Sequence, residues 1–271
     1  MRGTSAASLA RVQAGFEPVL RQAKRNAATL GGQLFTVVDA LTASGSLRRA
    51  LSDPSRSGDD KAALVRALLS SGADKRVVHV VEELARARWT SDADLVDAAE
   101  EMAADAVLAS AQAAGTLPTV EEEIFRFERV LIGQRELRRA LTDRAAPPES
   151  RAALVASLLQ GKAQPATIQL VSQAAYGPRG RTMSAMLGRM VRLSARRRQL
   201  LVALVTAAAP LSSAQLERLS ATLERAYGRA VQISVAVDPR VIGGMRVQVA
   251  GHVVDSTTLG RLEDVRRRLA G

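Results

Sequence analysis

The chain has 271 residues, with 38 Lys and Arg against 27 Asp and Glu, a net charge of +11, 47% hydrophobic residues and only 3% aromatic ones. That is enough apolar material for packed cores in roughly one to three domains, built from Ala, Leu and Val rather than from rings. With no cysteine, and His79 and His252 the only histidines, disulfides, thiolate chemistry and Cys-ligated zinc are excluded, and a His-built metal site or triad has little to draw on.

Met1 to Arg25 carries arginine every few residues and no apolar h-region, so no secretory signal is expected. No apolar run reaches the ~18–20 residues that span a bilayer, and the expected location is cytoplasmic. Apolar residues fall at helical spacing over 5–28 and 31–43, and then over 46–52, 59–70 and 74–88. Asp59 or Asp60 is expected to cap the fourth helix, and Gly45 and Gly72 to stop helices. His79, inside Val77–Val81, is expected to be a half-buried structural residue. Further helices are predicted at 93–114, 119–132, 134–142, 149–159 and 164–175, followed by a basic one at 181–198. The acidic runs Glu100–Glu101 and Glu121–Glu123 read as helix faces or first turns, where carboxylates favour the positive end of the helix dipole. Trp89, Met183, Met186 and Met190 are expected to fill core gaps.

Past residue 198 the pattern changes. Leu200–Thr206 is short, apolar and β-branched, and suits a buried strand. Ser212 or Ser213 caps a helix that ends near Tyr227. Val231–Val237 alternates as a half-buried strand does, and Asp238-Pro239 breaks it. Another strand spans about Met245–Val249, with Val253-Val254 pairing back across Ala250-Gly251. A last amphipathic helix, 257–269, carries Leu259, Leu262, Val265 and Leu269 on one side.

The helical part repeats itself. Leu47–Asp53 (LRRALSD) matches Leu137–Asp143 (LRRALTD), Lys61–Val65 (KAALV) matches Arg151–Val155 (RAALV), and Leu68-Leu69 matches Leu158-Leu159, always 90 residues apart. One register held over more than thirty residues is an internal duplication of a small domain rather than a solenoid of short units. The expected architecture is mainly α: a duplicated N-terminal helical bundle followed by a small C-terminal α+β domain. The boundaries are 1–92, 93–198 and 199–271, and 93–271 is expected to fold alone.

There is no GxxxxGK[ST], GxGxxG, HExxH, GxSxG or EF-hand spacing, so neither a catalytic site nor a cofactor is indicated. A basic chain also admits a nucleic-acid-binding reading, with the duplication as two phosphate-contacting units. Against it, Lys75, Arg76, Arg86 and Arg88 lie on or just beyond one repeated helix, and its counterpart at 164–175 has no Lys or Arg.

Val231–Val237, Asp238-Pro239, Val241-Ile242-Gly243-Gly244, Val247–Val249, Val254-Asp255 and Leu259–Leu262 together resemble the C-terminal signature of the delta subunit of F-type ATP synthases, the counterpart of the mitochondrial oligomycin-sensitivity-conferring protein. Val205–Ser212 and Glu136–Asp143 are similar to further stretches of that family, and the match runs over about 93–271. Ala250, Gly251 and Ser256 depart from the pattern in turns. Residues 1–92 are then an extra copy of the bundle.

The resemblance implies a non-catalytic stator subunit that ties the catalytic head to the peripheral stalk and resists torque. It is peripheral on the cytoplasmic face of the bacterial cell membrane and meets that membrane only through the complex. The implied partners are the N-terminus of the alpha subunit, the C-terminus of the b subunit and the catalytic head, with no nucleic acid and no cofactor. In the family an amphipathic helix of the alpha subunit enters a groove between the bundle's first and fifth helices. Carried over, Val107, Leu108, Ile168, Leu170 and Val171 line that groove or else form core. The matching helices of the first copy either hold a second alpha helix or brace the stalk. Leu259 and Leu262 would face the b subunit or pack on the domain's own sheet, with Arg266 beside them meeting the b subunit or merely solvated. Asp238, Pro239, Ile242, Gly243, Gly244 and Asp255 are read as structural, with the two glycines in a tight turn.

Overall fold

A computed structural model of the chain describes residues 3–143, 145–177, 179, 181–199, 201–227, 231–239, 241, 244–249 and 252–255. The first copy comprises α1 (Thr4–Ala23), α2 (Ala27–Ala43), α3 (Gly45–Ser52), α4 (Gly58–Leu69) and α5 (Lys75–Arg86). The second comprises α6 (Asp92–Ala113), α7 (Leu117–Gly133), α8 (Arg135–Thr142), α9 (Pro148–Leu159) and α10 (Pro165–Tyr176), and α11 (Met183–Gln199) follows. The bounds of α2 to α5 recur 90 residues later in α7 to α10. The side-chain contacts recur as well. Arg48 donates to the carbonyls of Leu41 and Thr42 at 2.9 and 3.0 Å, and Arg138 to those of Leu131 and Ile132 at 3.1 Å each.

Several local expectations are corrected. The first helix stops at Ala23 rather than 28, because Lys24 takes a left-handed φ of 50° before a short 3-10 turn, and α2 starts earlier. Gly45 opens α3 instead of ending a helix, since the Ser44 hydroxyl accepts the Leu47 N–H at 3.2 Å. Ser57, not Asp59 or Asp60, caps α4 by accepting the Asp60 N–H at 3.1 Å, and the two aspartates occupy its first turn. His79 is exposed. Trp89 and the three methionines are buried as expected.

The two repeat-related stretches share one core. Residues Met1–Ala195 form a single compact unit, and its buried apolar cluster runs without a break from Leu9 on α1 to Leu193 on α11. Separate bundles divided at 92/93 are not what the chain builds. The reason is α6, which buries Leu95, Val96, Met102, Val107 and Leu108 together with seven alanines and the side chains of Glu100 and Glu101. A helix buried around most of its circumference must be enclosed by neighbours, and α6 lies among α1, α2, α5, α7 and α10. An isolated 93–271 chain would leave the α2 side of α6 bare.

The second unit, Arg196–Gly271, holds β1 (Leu201–Ala207), α12 (Ser213–Tyr227), β2 (Val231–Val237), β3 (Met245–Val249) and β4 (His252–Asp255). The sheet order is β2-β1-β3-β4. β1 and β2 are parallel, with Leu201 opposite Val231, and the other pairs are antiparallel. A parallel neighbour demands a crossover, and α12 supplies it, started by a capping box in which Ser212 and Gln215 bond each other's backbone N–H. Ala203, Val205, Val231 and Val247 form the core, with Leu219 and Leu223 of α12 against it. The expected strands are all present. The amphipathic segment 257–269 lies outside the described residues.

Candidate partner-binding site

The groove expected between the first and fifth helices of the second copy is that between α6 and α10, and α2 of the first copy lies against both. Val107, Leu108, Leu170 and Val171 have no exposed surface, and Ile168 is half-buried. The first four are therefore core residues in this chain. They belong to the apolar cluster of the helical unit.

Gly31 shows how closely α2 approaches. A Cβ placed there would lie 2.6 Å from Val107 Cγ2 and 2.8 Å from the Ala103 carbonyl oxygen. Beside it, the Gln169 amide donates to the Ala28 carbonyl at 3.1 Å, and Gln173 to Asp39 Oδ1 at 3.4 Å. Burial pushes the Asp39 carboxyl above its ordinary range, while the Gln173 bond and the Arg179 charge hold it down. In copy one, the positions 90 residues earlier than Ala103, Val107, Gln169 and Gln173 are Gln13, Glu17, His79 and Glu83. The corresponding α1–α5 face is thus polar.

The far side of α6 is fixed by charge. Glu100 pairs with Arg179, with Arg181 at 2.9 Å and with Arg189 at 3.6 Å. Asp97 pairs with Arg181, and Glu101 with Arg189 at 2.8 Å. Glu100 and Glu101, expected on an open helix face or in a first turn, are both buried. Elsewhere Arg48 pairs with Asp92, Arg66 with Glu82, and Arg86 with Asp59 and Glu83. These arginines are engaged within the chain.

In the second unit the Asp238 N–H donates to the Ala207 carbonyl at 2.9 Å, continuing the β1–β2 ladder. Its own carbonyl accepts the Val241 N–H at 3.0 Å. That closes a turn with Pro239 in the position its fixed φ suits. Gly244 has a φ of 76° just before β3, as a turn glycine should. Asp255 ends β4, and its backbone pairs with Arg246. Ile242, Gly243, Ala250, Gly251, Ser256, Leu259, Leu262 and Arg266 lie outside the described residues.

What sequence reasoning missed is the role of α2: Gly31 was visible as a glycine in a helix, but nothing local identified its partner. It also missed the apolar surface of α7, where Phe125, Val130 and Ile132 are exposed. Phe35, 90 residues before Phe125, is 4% exposed against 47%. Among the described residues no helix is long and apolar enough to cross a membrane, and no cluster of side chains could hold a metal ion.

The family model described as ATP synthase delta (OSCP) subunit matches residues 102–269. The chain is 51% identical over 271 residues to the ATP synthase subunit delta of Beutenbergia cavernae, covering the whole of both chains. It is 46% identical over 269 residues to that of Kineococcus radiotolerans, covering 99% of this chain and 98% of the relative. To that of Thermobifida fusca it is 44% identical over 271 residues, again covering both chains whole. The family model starts inside α6, whereas these relatives also match the helices before it.

Proposed function

The chain belongs to the ATP synthase delta (OSCP) subunit family, and from that premise we propose that it is a non-catalytic stator subunit of an F-type ATP synthase. It joins the top of the catalytic head to the peripheral stalk and resists the torque of rotation. It is peripheral to the membrane and attached only through the complex. The observation that carries this reading is the full-length identity of 51% to a delta subunit.

The recurrence of helix bounds and side-chain bonds 90 residues apart supports a duplicated bundle. In this reading the first copy is a permanent occupant of the second copy's groove. α2 sits where the family's alpha-subunit helix would, so the N-terminus of the alpha subunit engages another surface of the helical unit. The C-terminus of the b subunit engages the second unit through the 257–269 stripe, Leu259, Leu262 and Arg266 included. Charge there would orient the encounter more than add affinity.

The test is affinity purification of the tagged chain from solubilised membranes at near-physiological salt with nuclease present. Co-recovery of the alpha, beta and b subunits is expected. Recovery of none of them, with nuclease-sensitive nucleic acid retained instead, overturns the proposal in favour of the basic nucleic-acid-binding alternative.

A further inference from the structure

At one end of the first copy, the α3–α4 loop, the α5–α6 loop and the start of α1 enclose a cavity of about 190 Å³ lined by Lys61, Arg88, Trp89, Pro54, Thr4 and Thr90 among others. Among the described residues no acidic side chain lines it. Lys61 is 3% exposed, and among the described residues its ammonium has no hydrogen-bond or ion-pair partner. Lys61 itself lines the cavity. The Arg88 side chain is exposed and likewise without a partner among the described residues.

The second copy shows what this position does when it is satisfied. Arg151, 90 residues on, is also buried, and its guanidinium donates to four backbone carbonyls. These are Ala175 at 3.0 Å, Tyr176 at 3.1 Å, Asp143 at 2.8 Å and Ala146 at 2.7 Å. An ammonium cannot fork as a guanidinium does. In the first copy the lysine stem is buried and its shorter, single-headed donor makes none of those bonds. Its nearby counter-charge is the Asp53 carboxylate, with which it forms no ion pair, and a largely desolvated cation so weakly answered is costly.

Burial pushes the Lys61 ammonium below its ordinary range, the Asp53 carboxylate counters that, and the Arg88 charge adds to it. Two cations facing one space repel each other, and an anion between them attracts both. The cavity is far larger than the ~10–15 Å³ that one water needs. It is smaller than the ~300–1,000 Å³ of pockets for drug-sized ligands. A small tetrahedral oxyanion has the size and the acceptors for an ammonium, a guanidinium and neighbouring hydroxyls together.

We propose that this cavity is a binding site for a phosphate-type oxyanion, held by Lys61 and Arg88 against Trp89. The site stands independently of the stator reading, since it rests on the first copy alone.

Trp89 is the chain's one tryptophan and lines the cavity, so its emission reports occupancy directly. The full chain is titrated with inorganic phosphate, and separately with O-phosphoserine, at ionic strength held constant with chloride. A saturable change in Trp89 emission is expected with phosphate and absent with chloride. Tighter binding of phosphoserine would mark a phosphorylated chain as the source, and equal binding the free ion. Lys61→Met should weaken binding at least tenfold and Arg88→Gln several-fold, the latter at an exposed position that leaves the fold intact. Lys61→Arg keeps the charge but should take up the carbonyl bonds Arg151 makes. It is expected to lose phosphate binding tenfold or more without lowering the melting temperature. A response that does not saturate, that chloride reproduces, or that survives both Lys61→Arg and Arg88→Gln unchanged would overturn the site.

Discussion

Replacing Gly31 by alanine tests whether α2 fills the groove of the second copy as closely as described. Two effects of opposite sign compete. Alanine is favoured over glycine inside a helix by about 0.8–1 kcal/mol, and α2 is a regular helix at this point. Against that, the new Cβ would sit 2.6 Å from Val107 Cγ2 and 2.8 Å from the Ala103 carbonyl oxygen, and the second of these is backbone that cannot swing aside. Forcing a methyl into a packed core costs roughly 1–3 kcal/mol, and contacts this short put the site at the upper end. The net expectation is a loss of about 1–2 kcal/mol. In a unit of this size that is roughly 2–8 °C in melting temperature. Gly15 supplies the control: it lies in α1 with nothing within 4 Å of a built Cβ, so Gly15→Ala should stabilise by about 0.5–1 kcal/mol. Urea unfolding followed by Trp89 emission reads both variants in the helical unit. Adding Val107→Ala to Gly31→Ala removes the closer contact and should recover part of the loss. If Gly31→Ala stabilises as Gly15→Ala does, α2 is not seated against α6 and the account of the filled groove fails.

Glu100→Gln should cost about 2–3 kcal/mol by thermal melting, because it strips the shared carboxylate from three arginines in a site where Glu100 is buried. An unchanged melting temperature would show that this network is not holding α11 to α6. The Asp74 carboxyl, which accepts the Arg76 N–H and pairs with its guanidinium, is held down to about 2. A folded value below the unfolded one means its contribution is full above the ordinary value of 3.8 and is lost as the pH falls through about 2. Asp74→Ala should therefore lie about 1 kcal/mol below the parent at pH 7, with the gap closing between roughly pH 4 and pH 2; a gap independent of pH would refute the cap. Gly244→Val puts a β-branched residue at a φ of 76° and should speed amide exchange in β1 to β4 while Trp89 emission and the helical melt stay as they were. Exchange as slow as in the parent would mean that the turn does not need glycine.

Local signals carried a great deal of this protein. Five helices of each copy, the change of period after residue 198 and the strand Val231–Val237 followed from apolar spacing, because that spacing is set by helix and strand geometry alone. The turn at Asp238-Pro239 was equally legible, since proline fixes φ and aspartate opens such turns. The repeat at 90 residues needed only the chain compared with itself. The misplaced caps at Ser44 and Ser57 show the limit of even local reading. Adjacent Ser, Gly and Asp compete for the same N–H groups, and only the backbone dihedrals decide among them.

The candidate site was half legible. Val107, Leu108, Leu170 and Val171 are all buried in the helical unit's core, as their apolar spacing allows. Whether they face a partner or their own chain depends on what lies over them, and here α2 does. No periodicity within α6 distinguishes burial against another protein from burial against a helix some seventy residues earlier. Both demand the same alanines and valines. The contrast between Lys61 and Arg151 has the same character. The sequence records a lysine where the second copy has an arginine, a substitution that keeps the charge. Only the folded structure shows four carbonyls answered in one copy and, in the other, a lysine with a buried stem and no hydrogen-bond partner among the described residues lining a cavity. Sequence by itself determined the elements, the repeat and the family, all of which rest on short-range geometry. The sharing of one core by two copies, the filling of the groove and the unpaired lysine were decided by tertiary packing, since each depends on residues far apart in the chain meeting within a few ångströms.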